Sequence, residues 1–180
     1  SRALNGRWSA DLAWDGTGSA PVTQGLRGTA SLRLDDSRWA GLAWQGDAEL
    51  LADARALQLR AKLLAGRNHL HADGRWAHGS AAPQGSVQVQ APELATLAPL
   101  AALLPASVAA WWPQAGALDG QADFEGSTTA LRSNGQLRLQ GLRSQAVTLG
   151  RADARWQLST AGADAPLQLA SFEPAALGDT

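Results

Sequence analysis

Residues 4–14 read LNGRWSADLAW, and their side chains alternate between apolar and polar with a period of two. Leu4, Trp8, Leu12 and Trp14 fall on one parity, and Asp11 is one of the polar residues between them. Successive side chains of a β-strand point to opposite faces of the sheet, so the pattern predicts a strand with one apolar and one polar face. The apolar face has to be covered, either by protein or by a ligand.

The same alternation returns along the chain in about ten short runs, at the spacing of roughly 8 to 12 residues that is typical of antiparallel all-β proteins. One run covers residues 26–34, and Asp35 and Asp36 are expected to end it. Residues 54–64 contain good helix formers, but the alternation of residues 57–63 favours a strand. The sequence therefore predicts an all-β fold, a long antiparallel sheet that is strongly curved.

The large apolar residues of these runs are predicted to share one concave face, while their neighbours in sequence face water. Because a shift of one residue would turn a whole strand over, each position tests the register. The small Gly and Ala residues between them are expected to leave room on that face. The predicted residues of the apolar face are Leu12, Trp14, Leu32, Leu34, Leu42, Trp44, Leu57, Leu59, Leu70, Trp76, Val87, Val89, Leu137, Leu139, Trp156 and Leu158.

The alternation stops in residues 92–117, which divide the chain into β-strands at 1–91, a connector, and β-strands at 118–180. The connector has no charged residue after Glu93, but its interior prolines argue against a membrane-spanning helix. We expect two or three short helical pieces, in the region of residues 93–112. Their leucines would form one stripe, made of Leu94, Leu97, Leu100, Leu103 and Leu104.

Composition narrows the classes of function. The net charge is −1, with 15 basic residues interspersed among 16 acidic ones, so no basic stripe is available to bind nucleic acid. The chain has no Cys, which excludes disulfides and thiolate sites and is compatible with the cytosol or a bacterial envelope compartment. It also has no Met, and we expect it to be part of a longer protein.

Candidate catalytic or metal-binding residues are few. His69, His71 and Asp73 share the polar parity of one run and could present metal ligands on one face, but no second strand supplies a further ligand in the sequence pattern, so a solvated face is the stronger interpretation. Asp119 and Asp123 alternate with apolar residues and also indicate an outer face. We predict neither enzyme activity nor a cofactor nor a metal site.

The order of motifs in the second half resembles the TamB family of bacterial envelope proteins, within the wider AsmA-like group. The likeness covers residues 68–170 best and rests on a strand that ends in a Pro-acid-Leu step, the connector, and a Leu-x-Gly strand followed by a strand pair. The matching stretches are GSVQVQAPEL at 85–94, LDGQADFEG at 118–126, GQLRLQGL at 135–142 and ADARW at 152–156.

The resemblance implies a β-sheet folded into an open, taco-like groove (a β-taco) in the periplasmic part of a protein anchored in the inner membrane. It implies transport of phospholipids between the inner and outer membranes, with acyl chains in the groove. It further implies an Omp85-family outer-membrane partner, reached through other parts of the full-length chain, and a role in assembly of the outer membrane and of autotransporters. We expect a monomer.

Two other functions fit the sequence pattern. One is a structural or adhesive β-solenoid of a surface protein, whose interior would be filled by its own side chains. The other is a chaperone that pairs an exposed strand edge with an unfolded outer-membrane protein. The Trp residues would be buried core in a solenoid and would line the wall or rim of a groove.

Overall fold

Ten β-strands form one antiparallel sheet in which each strand pairs with the next one along the chain. The computed structural model describes residues 6–14, 26–78, 82–105, 109, 112–127, 130–145, 147–159 and 168–175. The sheet is open and curved, and the all-β prediction is confirmed. The strands are β1 (Gly6–Trp14), β2 (Leu26–Trp39), β3 (Leu42–Ala52), β4 (Ala56–Ala65), β5 (Asn68–Ala77), β6 (Gln84–Ala91), β7 (Ala115–Ser127), β8 (Ala130–Arg143), β9 (Thr148–Ser159) and β10 (Gln168–Ala175).

Alternating burial shows why these residues form strands. Along β3, the side chains from Leu42 to Leu50 on the apolar parity are half-buried and the intervening ones are exposed. The segment with competing helix formers, β4, is a strand because both of its edges are hydrogen-bonded, to β3 and to β5. Pairing with two neighbours outweighs the small differences in intrinsic propensity.

The prediction that Asp35 and Asp36 end the second strand is wrong. β2 continues to Trp39 through a register shift between Leu34 and Ser37, where the two aspartates lie opposite a single residue of β3. A β-bulge of this kind absorbs one extra residue and reverses the parity of the rest of the strand. Ser37 and Trp39 therefore come onto the apolar face.

The connector contains one 3₁₀ helix, which we call the connector helix, at Leu94–Leu103. Pro99 lies inside it rather than dividing it, because a proline has helical φ and removes only one of the short-range hydrogen bonds. Beyond this helix, the backbone N–H of Ala109 donates to the Pro105 carbonyl. β7 already begins at Ala115, so the connector ends earlier than predicted.

In a 3₁₀ helix, with three residues per turn, Leu94, Leu97, Leu100 and Leu103 share one face as predicted, and Leu104 follows the end of the helix outside that stripe. Leu94 is buried and Leu97 and Leu100 are half-buried, whereas Leu103 and Leu104 are exposed. Among the described residues, no helix is both long and apolar enough to cross a lipid bilayer.

Because each strand runs antiparallel to the one before it, successive connections alternate between two ends of the sheet, which we call the connector end and the far end. The connector end holds the β2–β3, β4–β5 and β8–β9 turns and the connector helix, and the far end holds the β3–β4 turn at residues 53–55. Buried residues are few and mostly small within the described part of the chain, so no second layer covers the sheet there. They are Ser37, Ala52, Ala56, Ala65, Asn68, Ala91 and Leu94.

Candidate binding face

Strand pairing places every residue predicted for the apolar face at a register position on one side of the sheet. Directly opposed residues of antiparallel strands share a face. Leu50 pairs with Leu59, and Leu63 pairs with Leu70, which in turn pairs with Val89. The series continues to β9, so the predicted register is confirmed strand by strand. For Trp14 the structure describes only the backbone position. Contact of these residues with lipid stays a prediction.

Large side chains of this face are only partly covered. Leu12 is 40% exposed, Leu32 42%, Leu59 45%, Leu70 38% and Trp76 42%. A leucine at the centre of a packed sheet would be almost completely buried. In the described residues, the apolar face is therefore a continuous hydrophobic surface without a protein layer on top of it.

Most glycines of the apolar face do not leave the room that the sequence suggested, so that expectation is wrong for them. At three of them a large side chain of the next strand extends across the strand and occupies the space where a Cβ would lie. The pairs are Gly85 with Phe124, Gly120 with Leu137, and Gly135 with Trp156. At a fourth, Gly46, the Lys62 backbone carbonyl takes that space, and the Leu63 Cδ1 would lie 3.1 Å from the Cβ.

Gly74 is different from these four glycines. A Cβ built there would meet only the Leu59 Cβ, at 3.8 Å, an ordinary van der Waals contact. Gly74 lies opposite both Leu59 and Gly85, and the exposed Trp76 is the next residue on the same face. The apolar face thus has a local depression at Gly74, bounded by exposed hydrophobic side chains.

Two tryptophans meet at the connector end. The ring centroids of Trp39 and Trp44 are 6.1 Å apart with an interplanar angle of 53°. The Trp44 Nε1–H donates to the Trp39 carbonyl at 3.1 Å. Trp44 was predicted to lie on the apolar face, but Trp39 was not, because the bulge in β2 reverses the parity of the residues that follow it.

Asn68 joins the connector to the sheet and was also missed. Its side chain is 5% exposed. The Nδ2 amide donates to the Ala65 carbonyl, the Glu93 carbonyl and the Thr96 hydroxyl, at 3.1, 3.3 and 2.7 Å, and Oδ1 accepts from the Glu93 backbone N–H at 3.2 Å. A buried amide needs such partners. The only sequence signal is a polar residue at an apolar-parity position, where β5 begins.

The opposite, polar face carries alternating charges that compensate one another. Arg60 lies between Glu49 and Asp73 in the strand register, and Arg138 between Asp119 and Asp153. Alternation across strands stabilises a given register, although exposed ion pairs contribute at most about 1 kcal/mol each.

Asp153 is the best-connected charge of the polar face. Arg138 Nε donates to Oδ1 and Arg151 Nε to Oδ2, both at 2.8 Å. The Arg138 hydrogen bond, together with that of Arg151, lowers the pKa of Asp153 below its ordinary value of 3.8. Hydrogen bonding to Asp153 raises the pKa of Arg138. The group therefore stays ionised at neutral pH and fixes β8 against β9.

His69 and His71 lie on the same polar face. The His71 Nε2 is 3.2 Å from an Asp73 carboxylate oxygen, and Arg60 Nε is 3.6 Å from the other oxygen. His69 is exposed on the same strand. Among the residues that the structure describes, no three His, Asp or Glu side chains form a group that could hold a metal ion. The arrangement resembles a solvated ion-pair network.

His78 has a structural role that its sequence context did not reveal. Its Nε2 hydrogen-bonds with the Asp53 carbonyl at 2.7 Å, across the β3–β4 turn. The backbone N–H groups of Arg55 and Ala56 donate to the Asp53 carboxylate at 2.6 and 2.8 Å. These two bonds lower the pKa of Asp53 below its ordinary value. The far end of the sheet is thus closed by an Asp-centred turn.

A cleft of about 610 Å³ lies beside the connector end, mainly on the polar side of β5–β8. Arg67, His69, Asp119 and Arg138 line it. Arg67 is paired with Glu93 at 2.8 Å and Arg138 with Asp153, so both arginines already have carboxylate partners.

The chain matches no known protein family model, no curated protein and no solved structure.

Proposed function

We propose that this chain is part of a lipid-carrying groove, in which the apolar face of the sheet shields the acyl chains of phospholipids. The observation that supports it is the uncovered apolar face, on which Leu59 and Trp76 remain 45% and 42% exposed. Each methylene that leaves water contributes about 0.8 kcal/mol. An acyl chain lying along this face would gain that contribution for each methylene that it buries. Binding would therefore not need a specific pocket for the lipid head group.

The dimensions of the sheet fit this proposal. Ten paired strands at a spacing of about 4.8 Å form a row of roughly 43 Å, measured across the strands. The hydrocarbon layer of one bilayer leaflet is about 15 Å thick, half of the roughly 30 Å core. The row is therefore long enough for lipids in succession.

The resemblance to the TamB family supplies the cellular setting of the proposal. The chain would be a periplasmic segment of a bacterial protein anchored in the inner membrane. It would carry phospholipids between the inner and outer membranes and support assembly of outer-membrane proteins and autotransporters. Other parts of the full-length protein would contact an Omp85-family partner.

The scarcity of large buried side chains favours an open groove over a self-filled solenoid. A solenoid interior would bury leucines and tryptophans, whereas the buried apolar residues in the described part of the chain are four alanines and Leu94. In the alternative function, a chaperone that pairs a strand edge with an unfolded outer-membrane protein, β1 would offer that edge. β1 pairs with β2 through nine consecutive residues without a bulge. For that alternative, the captured partner would be protein rather than lipid.

A matched pair of leucines provides the experiment. Leu59 is 45% exposed on the apolar face, and Leu51 is 43% exposed on the polar face, opposite Gln58 in the register. A photoreactive leucine analogue is placed at either position. The purified chain is then mixed with vesicles of phosphatidylethanolamine and phosphatidylglycerol and illuminated, and adducts are identified by mass spectrometry.

Lipid adducts at Leu59 should exceed those at Leu51 by at least about tenfold, because the two sites have similar exposure and occupy opposite faces. Native mass spectrometry of the unmodified protein should also show bound phospholipid. Equal labelling of the two positions, or adducts with protein alone, would argue against the lipid groove.

A further inference from the structure

The connector helix is fastened to the sheet at its beginning. Asn68 binds the backbone of Glu93 on both its N–H and its carbonyl, and binds the Thr96 hydroxyl as well. Arg67 adds a 2.8 Å ion pair with the Glu93 carboxylate. Leu94 is 6% exposed. The first turn therefore has a polar anchor and a buried apolar side chain.

The other half of the connector helix is held much more weakly. Leu103 is 46% exposed and Leu104 36%. Pro99 lies beside the β2–β3 turn, where a Cβ built on Gly41 would be 3.7 Å from the Pro99 Cβ. The helix thus extends along the connector end from β5–β6 to the β2–β3 turn, where Pro99 lies beside Gly41, and it also packs against β7.

This asymmetry is what a hinge requires. The 3₁₀ hydrogen bonds are geometrically poor, and Pro99 lacks a donor, so the segment resists local opening weakly. Leu97 and Leu100 are half-buried, and an acyl chain at the connector end would restore the apolar contact that these side chains lose during opening.

We propose that the connector helix is a hinged strap across the connector end of the sheet, which pivots at the Asn68–Glu93 anchor and lifts its Pro99 end away from the β2–β3 turn to let an acyl chain enter the apolar face from that end. This inference rests on the proposed lipid groove, since it names the step by which that groove would be loaded. The occupant exchanged for the strap is a single hydrocarbon chain of a phospholipid.

A reversible disulfide tests the strap. The 3.7 Å separation between the Gly41 and Pro99 Cβ positions matches the Cβ–Cβ distance of about 3.8 Å in disulfides. The chain has no Cys of its own, so the double variant Gly41→Cys, Pro99→Cys can form one intramolecular bridge. Lipid loading is measured as transfer of a fluorescent phosphatidylethanolamine from vesicles, for the oxidised and reduced forms of the same protein. The single variants, treated with the same oxidant, are the controls.

Oxidation should slow loading at least tenfold, and reduction should restore it. Equal loading of the oxidised and reduced forms would overturn the strap and leave the lipid groove intact. If neither form nor the unmodified chain takes up lipid, the proposed function itself fails, and the strap with it.

Hydrogen exchange of the unmodified chain gives a second measurement, since Gly41 has a positive φ of 82° and Cys is strained there. The N–H of Leu104 donates to the Ala101 carbonyl, and that of Thr96 donates to the Glu93 carbonyl. Lipid loading should increase exchange at Leu104 at least threefold while Thr96, next to the anchor, stays protected. Unchanged exchange at Leu104 in the lipid-loaded protein would overturn the strap.

Discussion

The indole ring of Trp156 lies over the backbone of Gly135, its directly paired residue on the neighbouring strand. The Trp156 Nε1 is 3.4 Å from the Ser133 Oγ, further along β8. The ring therefore reaches from Gly135 to Ser133 along β8, and the missing side chain at Gly135 is what gives it room. Trp156 and Gly135 therefore depend on each other for their packing.

Replacing Gly135 with Ala should destabilise the sheet, because the new Cβ would occupy the position of the ring. We expect a loss of about 1–3 kcal/mol in the free energy of unfolding, together with a shift in tryptophan fluorescence. Gly74→Ala is the matched control, since its Cβ meets only Leu59 at 3.8 Å. It should be neutral or stabilising by up to about 1 kcal/mol. Urea denaturation that ranks the two variants in the opposite order would contradict the ring-over-glycine arrangement.

The alternation predicted the approximate number of strands and the composition of the apolar face, because a period of two directly encodes the two faces of a sheet. It left the order in which the strands pair open. It failed at the β2 bulge, where a one-residue insertion reverses the parity before Trp39 without any change in composition. It also could not assign Asn68, whose partners Glu93 and Thr96 are brought to it by the tertiary path of the connector. A local sequence pattern determines on which face of the sheet a residue lies. A bulge, or a buried hydrogen-bond cluster such as that of Asn68, depends instead on which elements are adjacent in the fold.

Asn68→Ala should weaken the connector end. Removing the amide leaves the Glu93 N–H without its side-chain acceptor in a partly buried position, at a cost of about 1–3 kcal/mol. Asn134→Ala is the control, since Asn134 lies on the polar face of β8, and it should change stability by less than about 0.5 kcal/mol. Chemical denaturation measures both. A similar stability of the two variants would show that the hydrogen bonds of Asn68 contribute little to the free energy of unfolding.

Acid should loosen the sheet at two defined places. The pKa values of Asp53 and Asp153 lie below 3.8 in the folded chain, because backbone N–H groups bind the first carboxylate and two guanidinium groups the second. A depressed pKa stabilises the folded state above the unfolded pKa, and this contribution disappears as pH falls through the folded value. Stability should therefore decrease from about pH 4 downwards. Asp53→Asn with Asp153→Asn should flatten that decrease in thermal unfolding scans, and an unchanged slope would show that neither group is linked to folding.

A charge on the apolar face should block lipid while leaving the fold largely intact. Leu59→Asp puts a carboxylate among hydrocarbon contacts, where an unpaired charge is costly unless it reaches water. Because Leu59 is 45% exposed, the carboxylate can stay hydrated, and we expect a loss of only about 1 kcal/mol in stability. Leu51→Asp, on the polar face at almost the same exposure, is the control and should leave lipid contact unchanged.

Lipid crosslinking from a photoreactive probe at Leu42 or Leu137 should fall at least about tenfold in Leu59→Asp, and the same is expected for Leu139→Asp. In a self-filled interior, either substitution on the apolar face would instead unfold the domain, as a buried unpaired charge does. Unfolding by Leu59→Asp, combined with an absence of lipid crosslinks in the unmodified chain, would therefore support the solenoid and remove the basis for a groove.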